Sequence, residues 1–276
     1  MVNVLELQTT QTSSIRILID TLNSLLTDVN ITFYPFYINE NNEEDKKRVG
    51  GIVIKEVNKT SSILIHCKLD ADQFQVYKYN YKYPKLTIGI NLSNFLKCIK
   101  CMTHFDTMSW TIDDDDINKL NMVLESEKEK KIFKINLMDL EDANYEIDPV
   151  DFPYCATLTC QDFQKYCKDM SQATDKMEIK CTKENLMLAG KGELGVIQFV
   201  LNQSSGLVIE SNTEINEIVQ GLFELKYLII FTRCTNLCDR VKLYLKNDYP
   251  LIIKYSVAAL GEIKLVLSPS KPKSGF

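Results

Sequence analysis

The sequence is poor in histidine and tryptophan, with two histidines and one tryptophan in 276 residues. So few imidazoles leave little material for a catalytic base, and the sequence shows no nucleophile paired with a base. Long apolar runs are also absent, so we expect no transmembrane helix. The opening MVNVLELQTT lacks a basic region followed by an apolar stretch, so we expect no secretory signal. These absences favour an intracellular protein that is not an enzyme.

Positive charge is not in excess either. The 32 lysines and arginines are outnumbered by 37 acidic residues, which gives a net charge of −5 and a pI near 5.3. Averaged over the surface, this charge repels nucleic acid unless the basic residues are concentrated on one face. The nine cysteines are odd in number, so we expect reduced, mostly buried thiols and no disulfide framework.

Apolar periodicity predicts an α+β chain in which a few short helices interrupt many strands. Helical spacing is found at residues 15–26, 92–99, 162–170 and 225–231. A strand is predicted at Gln73 to Tyr79, and the charged run from Asn39 to Arg48 is predicted to be a protruding loop. Near the middle, Lys131 to Leu137 alternates like a strand that could be buried on both faces, and an acidic connector follows it.

An internal repeat surrounds this connector. A shift of 133 positions aligns Leu92 with Leu225, Phe95 with Leu228 and Lys100 with Arg233 without a gap. The first helices correspond more loosely at a shift of 148. The repeat predicts two similar domains, at residues 1–136 and 153–276, joined by a connecting loop at 137–152. Each domain is expected to carry two helices packed on antiparallel sheets.

Three short motifs have a structural and a chemical interpretation. GKGELG, at Gly190 to Gly195, fits a dinucleotide-binding pattern, but a strand follows it where a helix is required, so we favour a hairpin turn. Cys98, Cys101 and His104 have metal-like spacing, but they lie on a helix without further ligands, so core packing is favoured. The run Asp113 to Asp116 could bind a divalent cation, although a solvated turn is the commoner outcome. We expect no metal and no cofactor.

Basic residues recur on the predicted helices at spacings that place them opposite the apolar stripe. Lys97 and Lys100 are three residues apart, as are Lys165 and Lys168. An ordinary solvated face is the alternative for any one helix, and Asp20, Asp162 and Asp169 weaken the signal. Recurrence in both halves favours a surface that contacts phosphates without reading base sequence.

Several strings, taken together and in order, resemble proliferating cell nuclear antigen, the eukaryotic-type sliding clamp. The strings are INLSNFLKCIKC, KINLMDLE, DFQKYCKDMS, GKGELG, ELKYLIIFTRCT, DYPLIIKY and GEIKLVLSP. The resemblance runs from about Leu5 to Pro269. It implies a ring of three chains around duplex DNA, which serves as a polymerase processivity factor in DNA replication and repair and is placed on DNA by a clamp loader.

The resemblance also implies site residues. Those facing DNA phosphates would be Arg16, Lys97, Lys100, Lys165, Lys168, Lys226 and Arg233. Subunits would join through Phe133 and Ile135 on one chain and Ile197 and Phe199 on the next. A pocket for partner peptides would be formed by Val57, Leu64, Tyr145, Ile147, Pro250, Val266, Ser268 and Pro269. Lys183 matches a lysine that receives ubiquitin-type modifiers, with a simple exposed lysine as the alternative.

The sequence departs from the family pattern in a longer segment from Phe36 to Val49, in Tyr145 on the connector, and in Asn23, where a basic residue is usual. Other functions stay open at this point: a subunit of a hetero-oligomeric clamp, a processivity factor that does not close, or a metal-dependent nuclease using Asp113 to Asp116. The expected location is the nucleus, or a viral replication site if the source is viral.

Overall fold

The structure is a computed structural model that describes residues 3–39, 47–101, 107–141, 150–193, 195–204, 206–212 and 217–270. The chain divides into two compact units. The first is built from residues within 1–56, 65–145 and 256–263, and the second from residues within 57–64, 146–255 and 264–276. The two units are described separately below.

The N-terminal half of the chain contains nine strands and two helices within its described residues. They are β1 (Asn3–Thr9), α1 (Thr12–Asn23), β2 (Asp28–Asn39), β3 (Lys47–Val57), β4 (Ile63–Asp70), β5 (Val76–Tyr79), β6 (Leu86–Asn91), α2 (Leu92–Lys100), β7 (Thr107–Asp113), β8 (Asp116–Glu125) and β9 (Lys130–Asn136). One sheet has the order β5-β1-β7-β8-β9, and the remaining strands follow one another as β4-β3-β2-β6.

The C-terminal half repeats this plan. Its described elements are β10 (Tyr154–Thr159), α3 (Cys160–Met170), β11 (Lys176–Cys181), β12 (Asn185–Gly192), β13 (Gly195–Asn202), β14 (Leu207–Ser211), β15 (Val219–Glu224), α4 (Leu225–Phe231), β16 (Arg240–Leu245), β17 (Leu251–Val257) and β18 (Gly261–Leu267). Its strands are ordered β14-β10-β16-β17-β18 and β13-β12-β11-β15. These orders correspond to those of the first half, so the predicted duplication is confirmed.

The first residues of the helices and strands also agree with the two shifts found in the sequence. β6, α2 and β7 begin at Leu86, Leu92 and Thr107, and β15, α4 and β16 begin 133 positions later. The shift of 148 carries the start of α1 at Thr12 onto that of α3 at Cys160. Both helix pairs therefore follow equivalent strands.

The helices are held by their apolar stripes. Ile15, Leu18 and Leu22 of α1 are buried, and in α2 the buried Phe95 meets the Trp110 ring of β7 edge-on at 5.4 Å. In the second unit the corresponding Leu228 and Leu243 are fully buried. Burial of a side chain of this size contributes roughly 1.5 to 3 kcal/mol, so packing rather than intrinsic propensity stabilises such short helices.

The structure corrects four predictions. The strand predicted from Gln73 to Tyr79 begins only at Val76. Gln73 belongs to a 3₁₀ turn, Ala71–Gln73, because the Phe74 amide donates to the Ala71 carbonyl and turns the chain. β2 extends to Asn39 and β3 begins at Lys47, so strands occupy both flanks of the predicted loop. Residues 40–46 of that loop lie outside the described residues.

The other two corrections concern the central strand and Arg233. β9 is not buried on both faces, because its residues alternate between exposed and half-buried. It is also the last strand of its sheet. Arg233 does not extend α4. It lies in a 3₁₀ turn, Thr232–Asn236, that directly follows the helix.

Candidate DNA-facing and partner-binding surfaces

The basic side chains of the first unit that are predicted to face DNA lie on the exposed faces of α1 and α2. Arg16, Lys97 and Lys100 are all exposed, whereas the apolar stripes of the same helices are buried. The two helices contact each other, and the Ser93 hydroxyl donates to the Asn23 amide oxygen at 3.0 Å. Asn23, the departure from the family pattern, is thus a link between the helices and carries no charge to the surface.

The second unit has the same arrangement. Lys165 and Lys168 are exposed on α3, and Lys226 and Arg233 are exposed on α4 and on the 3₁₀ turn after it. The Gln164 side chain donates to the Thr232 carbonyl at 3.2 Å and joins these elements. Three lysines on α3 and α4 and Arg233 on the following 3₁₀ turn therefore lie on connected elements.

One of the carboxylates near these lysines, Asp162, stabilises the start of the helix. Thr159 caps α3, since its hydroxyl accepts from the Asp162 amide at 3.1 Å and donates to the Asp162 carboxylate at 2.6 Å. A carboxylate in the first turn is also favoured by the helix dipole. Asp162 is therefore committed to the helix N-terminus, and of the acids noted on α3 only Asp169 lies fully on the exposed face.

Two sheet edges carry the predicted subunit contacts. On β9, Phe133 and Ile135 are half-buried, and on β13, the end strand of its own sheet, Ile197 and Phe199 are half-buried. The Phe199 ring lies 5.3 Å from the Tyr166 ring of α3. Each edge thus offers two partly covered apolar side chains together with backbone groups that face no strand within the described part of the chain.

The described residues of the predicted peptide pocket all lie in the second unit. Val57, Leu64, Pro250 and Val266 are half-buried, and Ser268 and Pro269 are exposed. Tyr145 and Ile147 lie outside the described residues. The Ser268 amide donates to the Ser62 carbonyl at 3.0 Å and ties the last segment to the turn after Val57.

A polar network that the sequence analysis missed shapes this turn. The Asn58 side-chain oxygen accepts from the amides of Ser62 and Ile63, both at 3.0 Å. The Tyr227 hydroxyl lies 3.4 Å from the Thr60 hydroxyl, and hydrogen bonds with Ser62 and Thr60 lower the pKa of Tyr227. The polar run NKTSS predicts a turn, but its pairing with Tyr227 depends on tertiary structure.

Two of the other motifs form hairpins, whereas the core packing predicted for Cys98, Cys101 and His104 is wrong for Cys101, which is exposed. Gly192 pairs with Gly195 in the hairpin of β12 and β13, so the predicted turn in GKGELG is confirmed. Asp113 and Asp116 pair across the hairpin of β7 and β8, and Asp116 binds Lys119 at 2.6 Å. His104 lies outside the described residues. Within the described ranges, no group of three or more His, Cys, Asp or Glu side chains could hold a metal ion.

Lys183 is half-buried in the turn between β11 and β12, where its carbonyl accepts from the Gln203 side chain at 2.8 Å.

Among the helices that the structure describes, none is long and apolar enough to cross a membrane.

Comparison with known proteins identifies the family. The proliferating cell nuclear antigen N-terminal domain matches residues 4–146, and the C-terminal domain matches residues 146–270. A protein of Acanthamoeba polyphaga mimivirus, described as a probable DNA polymerase sliding clamp, is 25% identical over 292 residues. That alignment covers 96% of this chain, which spans 62% of the length of the relative.

The fold is shared with a solved structure. Proliferating cellular nuclear antigen from Entamoeba histolytica matches with a TM-score of 0.83 at 24% identity, over 98% of this chain and 100% of that one. This likeness establishes an α+β fold of two similar clamp domains, each with two helices on antiparallel sheets. The two domain matches show that the chain belongs to the proliferating cell nuclear antigen family.

Proposed function

We propose that the chain is a DNA sliding clamp, a processivity factor that encircles duplex DNA and tethers DNA polymerase and other replication and repair proteins. The observation that carries this proposal is the recurrence of exposed lysine and arginine on the helix pair of each unit, in a chain with a net charge of −5. Contacts of this kind hold phosphates without reading bases. The proposal includes no catalytic step and no cofactor.

In the proposed ring, three copies are joined by pairing of β9 with β13 of the next copy. Phe133 and Ile135 would then cover Ile197 and Phe199, and both sheet edges would be consumed. A head-to-tail contact of this type closes into a ring when the rotation between copies allows it. The helices would line the hole, and the acidic remainder of the surface would keep DNA off the outside.

The decisive experiment is topological. After loading onto nicked circular DNA by a clamp loader, the protein should stay bound through gel filtration and should be released when a restriction enzyme linearises the circle. Loss of the protein from both forms at equal rates would contradict encirclement and would favour a factor that does not close. A mass of one chain at high concentration, with trimers formed only on mixing with a related subunit, would favour a hetero-oligomer.

We also propose that the wall formed by Val57, Leu64, Pro250, Val266, Ser268 and Pro269, together with Tyr145 and Ile147, binds short peptides of partner proteins. Half-buried aliphatic side chains beside an exposed proline can receive an aromatic or aliphatic anchor, and such anchors supply most of the affinity of an interface.

The double substitution Val57→Ala and Leu64→Ala should weaken peptide binding by at least about tenfold, because each removed side chain would lose apolar burial of roughly 1 kcal/mol or more. Fluorescence polarisation with a labelled polymerase tail peptide measures the change. The matched control is Val208→Ala, an exposed aliphatic side chain on β14. An equal loss of peptide affinity in both variants would contradict the proposal that these residues form the peptide-binding site.

Lys183 is proposed as a site for ubiquitin-type modification, supported by its position on a turn at the surface. In a conjugation reaction with the cognate enzymes, Lys183→Arg should abolish the single-modifier product, whereas Lys180→Arg should leave it. Persistence of the product in the Lys183→Arg variant would show that another lysine is modified.

We propose that the protein acts where its genome is replicated, in the nucleus or at a viral replication site.

A further inference from the structure

Two cysteine sulfurs of the second unit lie close together. The Sγ atoms of Cys160 and Cys238 are 3.8 Å apart, although the residues are separated by 78 positions in the sequence. Cys160 is the first residue of α3, and Cys238 lies between the 3₁₀ turn that carries Arg233 and the start of β16.

The backbone holds the two residues at this distance. Thr159 and Arg240 are partners in the antiparallel pair of β10 and β16, and the Cys160 amide donates to the Asp239 carbonyl at 2.9 Å. A disulfide has its sulfurs about 2.05 Å apart, so the sulfurs need to approach by about 1.8 Å. Side-chain rotation can supply much of this distance, and the sheet register keeps the backbones in place.

We infer that Cys160 and Cys238 form a disulfide when the protein meets an oxidant of the glutathione disulfide class. This modification concerns the thiols alone, and it stands whether or not the chain closes into a ring. In the structure neither cysteine is in a disulfide, in agreement with the expectation of reduced thiols.

The two thiols differ in access, which sets the order of events. Cys160 is buried, whereas Cys238 is partly exposed. The hydrogen bond with the Cys238 thiol and burial both raise the pKa of the Cys160 thiol. Cys160 is therefore the less reactive nucleophile of the two. Cys238 is therefore the attacking thiol and Cys160 the resolving one.

The exchange has two steps. The Cys238 thiolate attacks one sulfur of glutathione disulfide, breaks its S–S bond and releases one glutathione as a mixed disulfide forms. Cys160 then gives its proton to solvent and attacks the Cys238 sulfur, and the second glutathione leaves as a thiolate that takes up a proton. Two cysteine thiols are oxidised, and one glutathione disulfide is reduced to two molecules of glutathione.

The bond would fasten two surface elements of this unit. It would tie the N-terminus of α3, which carries Lys165 and Lys168, to the segment that follows Arg233. Because it closes a long loop, it would restrict the unfolded chain and raise the midpoint of thermal unfolding by several degrees.

The test uses the full chain and glutathione disulfide as the probe. After incubation and alkylation of remaining thiols, the intact mass should show one pair of thiols protected. Tryptic peptides that end at Lys165 and span 234–240 should be linked. Cys238→Ser, at a partly exposed position, should lose the link and the thermal shift, whereas Cys101→Ser, at an exposed thiol, should retain both.

Two results would overturn the inference. One is a glutathione adduct that stays on Cys238 without resolving, which would show that Cys160 cannot reach it. The other is an internal bond between Cys234 and Cys238 in the peptide 234–240. A thermal scan of reduced Cys238→Ser against the reduced parent shows whether that variant folds, so a missing link cannot be attributed to unfolding.

Discussion

Phe133→Ala is expected to convert the proposed trimer into single chains, so that the mass in solution falls from roughly three times 31.7 kDa to 31.7 kDa. Phe133 is half-buried at the edge strand β9 of the separate chain, and in the proposed pairing it would be covered by β13 of the neighbour. Truncating a buried phenylalanine costs about 3 kcal/mol, which lowers an association constant by roughly 150-fold.

All three contacts of a ring would be weakened together, because each is the same contact. Sedimentation equilibrium measures the mass, and circular dichroism checks that the variant stays folded. The matched control is Ile117→Ala on β8, which removes an exposed apolar side chain away from the β9 edge. A Phe133 variant that remains trimeric at micromolar concentration would contradict the proposed seam and leave the fold untouched.

Removing four helix lysines is expected to reduce processive synthesis by at least about tenfold without changing the trimer mass. The variant carries alanine at Lys97, Lys100, Lys165 and Lys168. Each lysine that no longer meets a phosphate lowers the dependence of binding on salt, since fewer counterions are released. The length of product per polymerase binding event, measured on a primed circular template at several salt concentrations, gives both effects.

The matched control removes the same number of positive charges from strands other than the proposed seam strands. Lys68, Lys78, Lys119 and Lys180 each bind a carboxylate within 3.3 Å. Their replacement by alanine is expected to leave product length within about twofold of the parent, because exposed ion pairs contribute little. Equal losses in both variants would show that net charge, rather than the helix face, governs synthesis.

The sequence predicted the helices and the repeat well because their signals are local. Leu92, Phe95 and Ile99 recur at helical spacing, and all three are buried in α2. The same local reasoning failed at β9. Alternation allowed a strand buried on both faces, but which faces are covered depends on what packs on the sheet, and in β9 one face is exposed and the other half-buried.

The site was predictable to a similar degree. Lysines opposite an apolar stripe are exposed wherever the helix packs, so the positions of Lys97, Lys100, Lys165 and Lys168 followed from spacing. The closeness of Cys160 and Cys238 did not, since it depends on the register between β10 and β16. The network around Tyr227 depends likewise on a turn that is distant in sequence.

The contact between the aromatic rings of Phe199 and Tyr166 has a consequence for opening of the proposed trimer. Tyr166 stands between Lys165 and Lys168 on α3, and Phe199 lies on the strand proposed to form the seam. In the proposed ring, separation of two protomers would expose this aromatic pair to water and loosen the helix whose lysines are proposed to contact DNA. Opening of the proposed ring would thereby also weaken its hold on the duplex.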